Sequence, residues 1–255
     1  MLNKMKIILI IILSNLIMIY QTYSLTKFEI ITKAKMCKIC YSKLTKFNIT
    51  KNKMLNIYDN YIPIIETKTK SACYIFYNKN QIDICFKGTS TINDICFNFD
   101  IYPRIFINEK IRIHNGFLKK YLSMKNNIIK NINHILNEND IKEISFNGHS
   151  SGGAIANIAS LDMSYIYENM NIKCVTFGAP RVGNKEFIEE YNKRIQKSLR
   201  IVNENDIITQ VPLPIIYIHN HKPIIINNNS NREFNINIID YYKTIHSMTS
   251  YIKNL

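Results

Sequence analysis

The sequence predicts an α/β fold, a mostly parallel central sheet flanked by helices, on three observations. Strand-like apolar runs alternate with helix-like ones along most of the chain, the order that joins parallel strands through helical crossovers. One such run, residues 141–147, breaks into Gly148-His149-Ser150-Ser151-Gly152 and passes straight into a small-residue run, residues 153–159. Strand, G-x-S-x-G and helix in direct succession is the setting of a nucleophile elbow after a central strand. Finally, Ser150, Gly178 and Asp206 all fall just after predicted strands, the end of a parallel sheet where sites collect.

Residues 1–6 are short and basic, residues 7–20 apolar apart from one Ser and one Asn, and residues 21–24 small and polar. That is the layout of a signal peptide, its apolar run short for a membrane span. The rival reading is an uncleaved anchor. Residues 25–255 then form a single α/β domain, and a length of 255 residues is enough to bury a full core. Residues 25–55 read as one or two helices, from apolar spacing at Ile31, Ala34, Cys37, Tyr41 and Leu44. Residues 72–77 and 82–86 read as a hairpin turning at Asn78-Lys79-Asn80. Gly88-Thr89-Ser90 follows, then a short apolar segment at 91–99 and an extended stretch at 105–113.

The spacing of Phe117, Tyr121, Met124, Ile128, Ile132 and Ile135 predicts a long amphipathic helix over 116–137. Beyond the elbow, residues 174–177 read as a strand entering Gly178-Ala-Pro-Arg-Val-Gly183. Residues 185–197 read as helix, and 199–202 as a strand ending at Asn203-Glu204-Asn205-Asp206. Two extended pieces, 215–220 and 223–226, and a helix from about Tyr242 complete the order.

At 46% hydrophobic the chain is globular, not disordered. Ile, Asn and Lys abound and Trp is absent, a bias expected of an AT-rich coding sequence. The net charge is +14, and +12 once residues 1–24 are removed with Lys4 and Lys6. It favours anionic membrane surfaces, whereas nucleic-acid binding would call for a clustered Arg/aromatic stripe that the sequence does not show. Export implies an oxidising compartment, where six cysteines permit disulfides without fixing their pairing. Cys85 and Cys174 lie in predicted buried strands and read as core thiols. Cys37-Lys-Ile-Cys40 is a lone C-x-x-C, read as a local disulfide or two helix-face thiols and not as a zinc site. Asn48 and Asn228 head glycosylation sequons. No metal and no organic cofactor is implied.

A serine hydroxyl is a weak nucleophile; it needs an imidazole to take its proton and a carboxylate to orient that ring. The expected chain order after Ser150 is carboxylate, then histidine. His246, after a loop and at the start of the last helix, fits the base better than His219 or His221, which sit in or beside a predicted strand pair. Asp206 is the best carboxylate, with Glu204 and Asp240 as rivals and Asp162 expected at the surface of the elbow helix. An oxyanion needs donors; the Ser151 amide at the helix start is one and Thr89, after the strand 82–86, the other.

These pieces together resemble the class 3 lipases, the fungal-type triacylglycerol lipases of the α/β-hydrolase superfamily, across roughly residues 72–251. Phe86-Lys-Gly-Thr89 is similar to the family's F-R-G-[ST] oxyanion segment and His114-Asn-Gly-Phe117 to H-x-G-F. Gly148 to Gly153 is similar to G-H-S-L-G-G. Thr176-Phe-Gly-Ala-Pro-Arg-Val-Gly-Asn184 matches T-F-G-x-P-R-V-G-N closely. Val202-Asn-Glu-Asn-Asp206 resembles the segment with the triad Asp, Tyr217-Ile-His219 a non-catalytic Y-x-H, and His246-Ser-Met-Thr-Ser-Tyr251 the terminal segment with the triad His.

The resemblance implies an α/β-hydrolase fold, a Ser150–Asp206–His246 triad, an oxyanion hole of Thr89 and the Ser151 amide, a structural His114, and a lid at residues 91–99. Three departures stand out. Lys87 replaces the usual Arg, Ser151 replaces a common Leu where only the backbone is required, and Asp206 lies farther from Val211-Pro212 than in typical members. The expected function is a secreted serine esterase hydrolysing lipid esters at a membrane or emulsion interface. The alternatives are phospholipase A1 chemistry on anionic phospholipid and a catalytically silent secreted lipid-binding protein. The sequence leaves oligomeric state open.

Overall fold

The structure, a computed structural model, describes residues 25–42, 57–89, 100–226 and 244–255. The leader, both sequons, the lid segment, Cys96 and Asp240 fall outside these residues. Helix α1 (Lys27–Ile39) opens with a capping box: the Thr26 hydroxyl accepts from the Glu29 amide, and the Glu29 carboxylate accepts from the Thr26 amide. Three strands follow, β1 (Asn60–Glu66), β2 (Ser71–Tyr77) and β3 (Ile82–Phe86), in an antiparallel meander. A separate hairpin, β4 (Pro103–Phe106) and β5 (Asn108–His114), leads into α2 (Asn115–Glu138).

Next come β6 (Glu143–His149), α3 (Ser151–Ile166), β7 (Asn171–Phe177), α4 (Lys185–Arg194), β8 (Lys197–Asn203), β9 (Ile224–Ile226) and α5 (Met248–Asn254). The main sheet runs β1-β2-β3-β6-β7-β8-β9, parallel from β3 onward. This is the α/β-hydrolase fold predicted above, a mostly parallel sheet flanked by helices.

Strand alternation divides the core into two layers. Cys73 and Ile75 of β2 and Ile82, Ile84 and Phe86 of β3 face the layer under α2, α3 and α4. Tyr74, Phe76 and Cys85 face the opposite layer, packed by Ala34, Met36 and Cys37 of α1 and Met248 and Tyr251 of α5. Because both faces are covered, β3 is buried at every position, as a central strand of such a sheet must be. All six spaced apolar residues that predicted α2 are buried in the first layer. The second layer also holds an ion pair: Lys33 of α1 bonds Asp83 of β3, which further accepts from Tyr58 at 2.5 Å and Asn147 at 3.0 Å. A lone charge there would be costly; four polar groups that satisfy one another are tolerated.

Several expectations need correction. Strand β1 was not foreseen, because Pro63 interrupts its pattern; the strand lies at the sheet edge, where a residue without an amide hydrogen is tolerated. The extended stretch at 105–113 is a hairpin turning at Ile107, whose φ is 63°. The helix expected to reach residue 197 ends at Arg194, and Lys197 already begins β8. Residues 215–220 form no strand; Ile218 makes only a single bridge, to Gly183. Asp162 is buried, not superficial, because Tyr121 donates to it at 2.5 Å and Lys125 pairs with it at 2.6 Å.

The expected disulfides are absent among the described residues: Cys37, Cys40, Cys73, Cys85 and Cys174 are free, buried thiols. Cys37 and Cys40 are helix-face thiols because α1 turns them inward onto β3, where the Cys85 sulfur lies 3.4 Å from that of Cys37.

Candidate active site

The site is built at the carboxyl ends of β3, β6, β7 and β8. Ser150 sits between β6 and α3 with φ 58° and ψ −133°, a backbone conformation that costs a side-chain-bearing residue of order 1–3 kcal/mol. Close packing around the bend enforces it. A Cβ on Gly148 would lie 2.2 Å from the Gly152 carbonyl oxygen, and one on Gly152 would lie 2.3 Å from that of Phe86. Only glycine permits strand, helix and neighbouring strand to approach so closely. The elbow read from the sequence is therefore present, and its serine is fully buried.

Asp206 follows β8 and caps the short turn Ile207–Gln210, accepting the Ile208 amide at 3.0 Å. Its Oδ2 accepts from the Tyr251 hydroxyl at 2.6 Å. Both its oxygens face His246 Nδ1, at 2.8 and 3.0 Å. A carboxylate only accepts, so Nδ1 carries the hydrogen, and in the neutral ring Nε2 is left as an acceptor. Ser150 Oγ and His246 Nε2 are the two buried side-chain polar atoms without a partner among the described residues. An unpaired donor and an unpaired acceptor in one site are the two groups that a general-base step joins.

His149 braces this arrangement. Its Nε2 donates to the His246 carbonyl at 2.6 Å, so its Nδ1 accepts the Tyr41 hydroxyl at 2.8 Å. Burial, then the adjacent His246 ring 4.6 Å away, hold His149 well below the usual histidine range and keep it neutral. The Tyr41 phenol is pushed up, chiefly by burial, and keeps its proton to donate. The tail is clasped in the same way: the Asn203 amide donates to Tyr251 Oη at 3.0 Å, and Asn203 Nδ2 to the Ile245 carbonyl at 2.7 Å.

Thr89 and Ser151 are brought together, but through the serine side chain. Ser151 Oγ accepts the Thr89 amide at 2.8 Å and lies 2.8 Å from Thr89 Oγ1, and Lys120 Nζ donates to Thr89 Oγ1 at 3.3 Å. The other candidates lie apart. His219 donates to the Thr209 carbonyl at 2.6 Å, His221 to that of Ile195 at 3.3 Å, and Glu204 is exposed. His114 is buried, accepts the Gly116 amide at 3.1 Å and stacks on Phe117, a structural placement. Sequence reasoning missed Tyr41, Lys120 and Asn203. Asn203 and Tyr251 had a signal, Asn203 as the second residue of the segment with the triad Asp and Tyr251 as the last residue of the terminal segment.

Comparison with known proteins identifies the family and the fold. Residues 84–215, about half of the chain, match the family model described as Lipase (class 3). A lipase of Rhizopus niveus is 31% identical over 148 residues, 54% of this chain and 37% of that protein. A chloroplastic phospholipase A(1) of Arabidopsis thaliana is 34% identical over 107 residues, 39% of this chain and 24% of that protein. The match thus spans well under half the length of either relative. The solved triacylglyceride lipase of Rhizomucor miehei superposes with a TM-score of 0.67 at 18% identity, covering 81% of this chain and 83% of that one.

Proposed function

The chain belongs to the class 3 lipase family, and from that membership we propose that it is a serine hydrolase of lipid carboxylic esters. One observation carries the reading: the buried, unpartnered Ser150 Oγ and His246 Nε2, with Asp206 fixing the hydrogen on the far nitrogen of the ring. In the proposed reaction Ser150 Oγ attacks the ester carbonyl while His246 Nε2 takes its proton. The imidazolium, stabilised by Asp206, returns that proton to the departing alcohol. Water then adds to the acyl-serine with His246 again as base, and the fatty acid leaves.

A lipid substrate is supported by an apolar cavity of about 600 Å³ among Tyr102, Phe117, Val211, Pro212, Leu213 and Ile215. Its rim is open: Tyr102, Leu213 and Ile215 are 76%, 69% and 84% exposed. Apolar rims of this kind suit an acyl chain and a lipid surface. Secretion is supported by the leader layout of residues 1–24.

A second reading, phospholipase A1 chemistry on anionic phospholipid, is favoured by the charge of +14. Rates on triglyceride emulsion and on anionic phospholipid vesicles separate the two. The chemistry itself is tested by Ser150→Ala: hydrolysis and labelling by a fluorophosphonate probe should both vanish while the fold is kept. Turnover in that variant would refute the assignment.

A further inference from the structure

We propose that Ser151 gives the oxyanion its side-chain hydroxyl as well as its amide, with Thr89 and Lys120 orienting that hydroxyl from behind. The inference rests on the hydrolase reading above and makes the Ser151 amide and hydroxyl the two donors of the hole, because Thr89 gives both its hydrogens to Ser151 Oγ.

The argument is a count of hydrogens. An ammonium group only donates, so Lys120 Nζ, 3.3 Å away, occupies a lone pair of Thr89 Oγ1. Ser151 Oγ already accepts the Thr89 amide. The two hydroxyls lie 2.8 Å apart and share one hydrogen bond between two hydrogens, so one hydrogen is left over. A cation against Thr89 Oγ1 makes that hydroxyl the better donor and the poorer acceptor. Donation therefore runs from Lys120 to Thr89 to Ser151. Both lone pairs of Ser151 Oγ are then filled from Thr89, and its own hydrogen is the free one.

That hydrogen belongs to the residue whose amide opens α3, where no preceding helical carbonyl takes it. Amide and hydroxyl of one residue are close enough to face one oxygen together. Ser151 is 1% exposed, so little solvent competes for its hydrogen. Preorganised donors in such surroundings act strongly on developing charge. A leucine at this position would offer only the amide. Ser151 is thus a catalytic residue by its side chain, and Thr89 and Lys120 are positioning residues.

The test uses the full chain and a soluble p-nitrophenyl ester. Ser151→Ala should lower kcat by about 10²-fold with KM little changed, the loss expected for one oxyanion donor. Ser151→Thr, which keeps the hydroxyl, should recover most of it, and Ser151→Cys, similar in shape but a weak donor, should not. Lys120→Met should lower kcat several-fold at constant KM, and Lys120→Arg should restore it. Thermal melting checks that each variant folds. Unchanged or faster turnover in folded Ser151→Ala would overturn the inference, the hydroxyl then merely filling the hole. If the wild-type protein neither hydrolyses esters nor labels at Ser150, the hydrolase reading itself fails and this inference with it. Labelling at Ser150 with an indifferent Ser151→Ala sinks only the inference.

Discussion

The His149 ring donates its Nε2 hydrogen to the backbone carbonyl of His246 at 2.6 Å, so the residue beside the candidate nucleophile holds the main chain of the candidate base. The bond joins positions 97 residues apart in the sequence. It fixes where the tail places its imidazole relative to the elbow, and Tyr41 fixes the tautomer that makes it possible.

From this bond, His149→Ala should lower kcat about tenfold or more, since one lost hydrogen bond of roughly 1.4 kcal/mol is a factor of ten. Ser150 itself is untouched. His149→Asn, whose amide can donate to the same carbonyl, should recover part of the loss. Steady-state kinetics on the two variants decides it; equal activity in His149→Ala would leave the ring a mere packing group.

Acid should weaken the fold before it reaches the carboxylates. Burial pushes His114 down to about 4, and burial with the nearby Arg200 pushes His219 to about 4, from an ordinary 6.5. Between those values the unfolded chain binds more protons than the folded one, so stability rises with pH across the window. The contribution is complete above pH 6.5 and is lost as pH falls toward 4. For buried His114 it amounts to about 3 kcal/mol. Urea midpoints measured from pH 7 to 4 should fall, and fall less in His114→Asn, whose side chain can still accept the Gly116 amide.

Removing one partner of the buried pair between α1 and β3 should be severe. Lys33→Met strands the Asp83 carboxylate and should cost about 3–5 kcal/mol. Adding Asp83→Asn removes the stranded charge, keeps a carbonyl oxygen for Asn147 and turns an amide NH2 toward the Tyr58 oxygen, which can accept it, and should restore much of the loss. Urea unfolding of both variants measures this; a neutral Lys33→Met would mean that solvent reaches the site.

The sequence made the elbow, α2 and the order of Asp206 and His246 legible because each is a local pattern: glycines at a bend, apolar residues at helical spacing, polar turns after strands. Strand β1 was hidden because Pro63 reads as a strand breaker, and only its place at the sheet edge makes it acceptable. Asp162 was misjudged because its partners Tyr121 and Lys125 come from another helix. Tyr41 and Lys120 left no trace for the same reason: their roles arise from contacts across the fold, 108 residues away for Tyr41 and 31 for Lys120. The core thiols Cys85 and Cys174 and the helix-face thiols Cys37 and Cys40 were legible from their places in predicted elements, whereas the disulfides that export permits are absent among the described residues because α1 buries its thiols as packing groups.

The clasp that binds Asn203 and Asp206 to Ile245, His246 and Tyr251 has a consequence for biosynthesis. The imidazole reaches its carboxylate only once residues 244–255 have been translated and α5 has docked. A chain carrying the elbow but lacking residues 244–255 lacks the candidate base and stays inert. Recovery of activity would then report the docking of α5 during refolding.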